Sequence, residues 1–231
     1  MKRRKESKKM VKPSELERDK FYKRAKERGY RSRSAFKLLA MQKRFKLIQR
    51  GDVVVDLGAA PGGWSQVASR IVGNEGIVVS VDLQHISPRG ISSTATVRVV
   101  RSDIRDVAST VSAIREQLER FEGGKRLVDV VLSDASPNLS GNKSYDHYLS
   151  FLLSVSALKI AVELLREGGN FVAKIFQGED FQHFYKMVKQ HFAFAKPFTP
   201  EATRKHSSEV YVVGKHFKGR REETFAVNEE K

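Results

Sequence analysis

The sequence predicts an α/β fold built on a doubly wound, mostly parallel sheet, and three observations predict it. Short β-branched runs alternate with helical stretches, a glycine-rich turn follows the first run, and four successive runs end on an aspartate. Five runs read as buried strands: 51–57 (GDVVVDL), 76–83 (GIVVSVDL), 96–103 (TVRVVRSD), 127–134 (LVDVVLSD) and 168–176 (GGNFVAKIF). Continuous Val, Ile and Leu of this length suit strands covered on both faces. Helical stretches at about 63–72, 106–121 and 146–166 lie between them, and such alternation implies parallel strands joined by right-handed crossovers. Segments 192–198 and 208–215 add two strands after a helix near 180–190. Ahead of the sheet, residues 34–48 open on the N-cap candidate Ser34 and space Phe36, Leu39, Ala40, Phe45 and Ile48 at helical intervals. They should form a helix docked on the core.

At 231 residues the chain suits one α/β domain with an extension. It has no cysteine, which excludes disulfides, thiolate metal sites and any cysteine nucleophile. The N-terminus is too polar for a secretory signal and no run of some eighteen apolar residues occurs, so the expectation is a soluble, cytoplasmic protein without a membrane partner. The net charge of +16 is unevenly placed: residues 1–50 carry 20 Lys and Arg against 5 Asp and Glu, and the remaining chain 23 against 22. An excess confined to one end reads as a polyanion-binding arm, with nucleic acid favoured over a solvated basic tail or a membrane surface. The last stretch, 218–231, reads as a polar tail.

In a doubly wound sheet, ligands bind beyond the carboxyl ends of the strands. The residues placed there are Asp56, Asp82, Asp103, Asp134 and Lys174. Any one acid could simply cap the next helix, but together they line one edge. Asp82 follows Gly62 by 20 residues, a place from which a carboxylate accepts hydrogen bonds from ribose hydroxyls. The turn GAAPGG is not a clean G-x-G-x-x-G, the spacing that seats a pyrophosphate on a helix N-terminus. It suits S-adenosylmethionine better, whose amino-acid part could meet the turn and Asp56.

Four motifs in order, DLGAAPGGWSQ, SDASPNLSG, FVAKIFQG and SSEVYVVG, resemble the FtsJ/RrmJ family of S-adenosylmethionine-dependent RNA 2′-O-methyltransferases from about Ser32 to Gly214. The resemblance implies a Rossmann-like class I methyltransferase with a seven-stranded sheet. It divides the chain into an RNA-binding arm at 1–33, a methyltransferase domain at 34–217 and the tail. It also implies a catalytic tetrad: Lys37 from RSRSAFKLL, Asp134 from LSDASPN, Lys174 from FVAKIFQG and Glu209 from SSEVYVVG. The family's cofactor positions fall on Gly62, Trp64, Asp82, Asp103 and Asp134, to which the reading of the turn adds Asp56 and Gly58 as cofactor-binding candidates. No metal is implied, and the six histidines show no metal-ligand spacing.

Methyl transfer to a ribose 2′-oxygen needs that hydroxyl in line with the sulfonium methyl and its proton removed as the bond forms. Lys174, ending an apolar strand, is the candidate base. A lysine with the reference pKa of about 10.4 must be shifted down to act near neutrality; Lys37 and the cofactor's positive charge push that way, the two acids the other. The expected substrate is a uridine of large-subunit ribosomal RNA, or the subunit itself, acted on by a monomer. Alternatives are a transfer-RNA or cap ribose methyltransferase, a base N-methyltransferase, and a non-catalytic ribosome-assembly factor that binds RNA. A nicotinamide-dependent dehydrogenase stands furthest from the pattern.

Overall fold

A computed structural model describes residues 19–92, 95–121, 127–204 and 206–220. The first eighteen residues of the basic arm and the last eleven of the tail lie outside the described residues.

In chain order the elements are α1 (Lys20–Glu27), α2 (Ala35–Phe45), β1 (Val53–Leu57), α3 (Gly63–Val72), β2 (Ile77–Asp82), β3 (Thr96–Arg101), α4 (Val107–Glu119), β4 (Val128–Ser133), α5 (Lys143–Leu164), β5 (Leu165–Phe176), α6 (Phe181–His191), β6 (Phe192–Phe198) and β7 (Glu209–Phe217). The seven strands lie in the order β3-β2-β1-β4-β5-β7-β6. Neighbours from β3 through β5 pair parallel, and β7 runs antiparallel between β5 and β6. The fold is therefore the Rossmann-like, mostly parallel sheet that the β-branched runs predict. Its strand order reverses at β1, whose neighbours are β2 and β4, and crevices for ligands open at such a point.

Alternation along each strand divides the core into two layers. Val53, Val55 and Leu57 of β1 pack with α4, α5 and α6, through Ile114, Leu158 and Phe184 among others. Val54 faces the opposite way, with Leu38 and Met41 of α2 and Trp64 and Val67 of α3. Asp56 shares that second face because side chains in a strand repeat every two residues.

Three boundaries differ from the sequence expectation by three residues: the helix expected to 48 ends at Phe45, where Lys46 turns left-handed at φ 50°, and two others lie later in the chain. β5 begins at Leu165, three residues ahead of Gly168, because its pairing with β4 shifts register between Val128 and Val130; Gly168 adopts φ +77° in that irregular stretch. α5 starts at Lys143, where the Asn142 side chain accepts a hydrogen bond from the Tyr145 amide at 3.2 Å. By length and composition α5 could cross a bilayer, yet its Ala157, Leu158, Ile160 and Ala161 are fully buried against the sheet.

The basic stretch 19–33 contains structure that its composition hides. Asp19 caps α1, its carboxylate accepting from the Phe21 and Tyr22 amides. Phe21 and Ala25, one helical turn apart, are buried against Phe36 and Ala202. The Arg24 guanidinium lies 5.1 Å from the Phe36 ring centroid.

Candidate active site

The four aspartates at the strand ends are not equivalent. Asp82 closes β2 and lashes the glycine turn to it: one carboxylate oxygen accepts from the Ala60 amide at 2.9 Å, the other from Gln84 at 2.8 Å. Asp103, just beyond β3, is paired with Arg105 through Nε at 3.0 Å, and that hydrogen bond holds its carboxyl below the ordinary range. Asp56 is fully buried and accepts from the Ser65 hydroxyl at 2.6 Å. Burial, helped by the charges of Asp134 and Asp82 and opposed by the Ser65 hydrogen bonds, pushes its carboxyl up to about 7.

Asp134, beyond β4, belongs to a chain of charges. Lys174 Nζ donates to the Asp134 backbone carbonyl at 2.9 Å and lies 3.2 Å from its carboxylate and 3.7 Å from Glu209. Lys37 Nζ lies 2.7 Å from the other Glu209 oxygen. The structure thus brings Lys37, Glu209, Lys174 and Asp134 into one alternating row of cations and carboxylates, drawn from α2, β7, β5 and the end of β4. Lys37 and Lys174 are both buried, and a lysine is almost never buried without a partner. Burial acts to raise the Asp134 carboxyl, but the Lys174 and Lys37 charges and the hydrogen bonds from Tyr211 and Lys174 outweigh it and hold it below the ordinary carboxylate range.

Tyr211 is the member of this cluster that motif reading misses. It lies two residues from Glu209 on β7, hence on the same strand face, and its hydroxyl donates to Asp134 Oδ1 at 2.7 Å. Burial, then the Asp134 and Glu209 charges, raise the phenol well above its ordinary value. It stays a donor.

Two cavities meet at the row. One, of about 550 Å³, is walled by Gly58, Ala60, Asp82, Asp103 and Asp134, with Leu83, Ile104, Leu149 and Leu152 on its apolar side. The second, of about 530 Å³, is walled by Lys37 and Glu209 with Arg33, Lys143, His147 and Arg204. Ser136 lines both. Asp134 faces the first cavity and Glu209 the second, so the row crosses from one to the other. Among the described residues no group of three or more His, Cys, Asp or Glu is placed to hold a metal ion.

The sequence profile of FtsJ-like methyltransferases matches residues 30–217. The chain belongs to the FtsJ-like methyltransferase family. Relatives named ribosomal RNA large subunit methyltransferase E are 46% identical in Methanosarcina acetivorans, covering 93% of this chain and 75% of theirs, and 46% identical in Archaeoglobus fulgidus, covering 87% and 96%. A solved structure from Plasmodium falciparum, provisionally described as a ribosomal RNA methyltransferase, superposes with a TM-score of 0.69 at 24% identity, covering 83% of this chain and all of that one. At that identity it speaks for the fold alone.

Within this FtsJ-like chain, three residues expected to hold a cofactor stand away from the first cavity. Asp56 faces α3 from behind the turn. Trp64 is 2% exposed, donates its indole N–H to the Ser34 carbonyl at 2.8 Å, and packs 5.7 Å from the Tyr211 ring. Gly62 adopts φ +104°, and a Cβ there would meet the Arg31 guanidinium at 3.0 Å and the Ile91 side chain at 3.3 Å. A Cβ at Gly63 would clash with the Ser32 hydroxyl. What comes so close to this part of the glycine turn is the chain's own 29–34 segment. Gly58, in contrast, does line the cavity, and a side chain there would strike the Ala135 backbone at 2.5 Å.

Proposed function

We propose that this chain transfers a methyl group from S-adenosylmethionine to a ribose 2′-oxygen of RNA, with a uridine of large-subunit ribosomal RNA as the target. The observation that carries this reading is the charged row crossing between two cavities of similar size, one with acids and an apolar side, the other ringed with cations. The names of the relatives support ribosomal RNA as the substrate.

The first cavity suits the cofactor by its chemistry. Asp82 and Asp103 offer carboxylate oxygens to ribose hydroxyls and an amino group, the leucines and Ile104 offer a slot for a flat base, and Asp134 offers a negative charge to a cation. S-adenosylmethionine, when bound, supplies a sulfonium methyl whose carbon–sulfur bond breaks with the electron pair kept by sulfur. In the second cavity Lys37 orients the 2′-hydroxyl. Lys174, between the cavities, first passes its own extra proton to solvent, and as the neutral amine then accepts the hydroxyl proton while the oxygen bonds to carbon. Asp134 and Glu209 align the two lysine side chains, and Tyr211 pins Asp134. Positioning of this kind contributes about 7–11 kcal/mol to a reaction barrier, and a placed base ~10²- to 10⁴-fold in rate. Lys143 and Arg204 would meet phosphates, and the basic residues of the arm would add contacts that hold RNA without reading bases, whereas Arg33 is held by the Asp19 carboxylate and the Ala202 carbonyl. The setting proposed is the cytoplasm, with the chain acting as a monomer.

The test is methyl incorporation from labelled S-adenosylmethionine into ribosomal RNA and large subunits, followed by alkaline hydrolysis. A phosphodiester resistant to alkali marks a blocked 2′-oxygen and supports the proposal. Label on a base would move the reaction to base N-methylation, and cofactor binding without transfer to RNA would favour an assembly role.

A further inference from the structure

Arg31 is part of the basic N-terminal stretch, yet its guanidinium is turned inward onto backbone carbonyls. One terminal nitrogen donates to Pro61 at 3.0 Å and to Ser87 at 2.7 Å, and the other donates to the Arg89 carbonyl. Pro61 belongs to the turn after β1; Ser87 and Arg89 belong to the loop after β2. Both loops contribute to the lining of the first cavity: Gly58 and Ala60 from the turn, Leu83 and Gln84 from the other.

The backbone around Arg31 is fastened at the same place. Its amide donates to the Gln66 side chain at 2.7 Å, and the Gln66 amide group donates to the Gly29 and Gly90 carbonyls at 3.2 and 3.1 Å. Gln66 is buried, so these groups are shielded from competing water. The glycines at 62 and 63 leave room for this strap. A planar fork of donors reaching three carbonyls on two loops is a task for arginine; the lysine ammonium is a point charge without that geometry.

We propose that Arg31 is a positioning residue for methyl transfer: it fixes the separation of the two loops that wall the cofactor cavity, and it is not one of the arm's phosphate contacts. This rests on the reading that the first cavity takes S-adenosylmethionine. A basic residue in a basic arm would otherwise be assigned to RNA, and the two roles separate cleanly in binding measurements.

The experiment compares wild type with Arg31→Ala and Arg31→Lys. S-adenosylmethionine affinity is measured by calorimetry, RNA affinity by filter binding, and steady-state constants with each substrate varied. Expected for Arg31→Ala is about a tenfold loss of cofactor affinity, a matching rise in cofactor KM, kcat within about twofold at saturating cofactor, and RNA affinity within about twofold. Arg31→Lys retains the charge and loses the fork, so it should show most of the cofactor defect, and it stands in should the alanine variant fail to fold. Unchanged cofactor affinity in the lysine variant, or a loss of RNA affinity as large as the loss of cofactor affinity, would overturn the proposal. A wild-type protein that bound RNA but not S-adenosylmethionine would instead overturn the methyl-transfer reading on which it rests.

Discussion

Replacing Asp56 by Asn should change the pH dependence of stability by a calculable amount. The carboxyl is fully buried, one oxygen accepting from Ser65, which in turn lies 2.8 Å from the Ser80 hydroxyl. The other oxygen has no hydrogen-bond partner among the described residues. Burial therefore raises the carboxyl from 3.8 to about 7 in the folded chain. The folded state holds this proton more tightly than the unfolded state. Well below pH 3.8 both states are protonated and ionisation of the residue costs nothing. As pH climbs towards 7 the unfolded chain ionises first, folding loses stability, and above 7 the loss levels off at roughly 4 kcal/mol. Between pH 5 and pH 8 the loss amounts to roughly 2–3 kcal/mol. Asn cannot ionise, so urea unfolding followed by fluorescence of Trp64, the single tryptophan, should show Asp56→Asn gaining that amount relative to wild type over the same interval. Other titrating groups cancel in the difference between the proteins. A difference in stability that stayed constant from pH 5 to pH 8 would refute the assignment.

Three further outcomes follow from the contacts. Tyr211→Phe removes the phenolic donor from Asp134, and kcat should fall roughly ten- to a hundredfold, in keeping with about 1.5–3 kcal/mol for a hydrogen bond to a charged group, with cofactor KM little changed; unchanged kcat would show that Asp134 needs no such anchor. Trp64→Phe leaves the Ser34 carbonyl without its donor, so calorimetric melting should drop while S-adenosylmethionine affinity stays within about twofold; a large affinity loss without a melting change would return Trp64 to the cofactor site. Deleting residues 1–18, which hold eight Lys and Arg, should weaken RNA binding and flatten its salt dependence while cofactor binding is retained; filter binding over a range of salt checks this, and an unchanged slope would remove the arm from the interface.

Strands β1, β2 and β4 are legible in the sequence because they are buried on both faces and read as unbroken β-branched runs, whereas β3, also expected to be buried, lies at the sheet edge with only Val100 buried. The strand-end acids are legible because the topology places the ends of successive parallel strands on one edge. What composition conceals is local. Phe21 and Ala25 sit among so many charges that their spacing is lost in the basic stretch, although Asp19 two residues ahead of Phe21 is a helix-start signal. Glycine at 62 and 63 looks the same in sequence whether a ligand or another strand of backbone approaches, and only the structure shows the Arg31 strap filling that space. Tyr211 is recoverable in principle: once Glu209 is placed at the site, the two-residue repeat of β7 puts Tyr211 beside it.

The most direct test of the charged row as the catalytic centre is single-turnover methyl transfer to ribosomal RNA by Lys174→Ala, with S-adenosylmethionine affinity measured on the same preparation. Loss of a placed base should slow transfer by ~10²-fold or more, with the protein folded and cofactor affinity within a few-fold of wild type. Transfer at an undiminished rate would contradict the assignment of Lys174 as the proton acceptor.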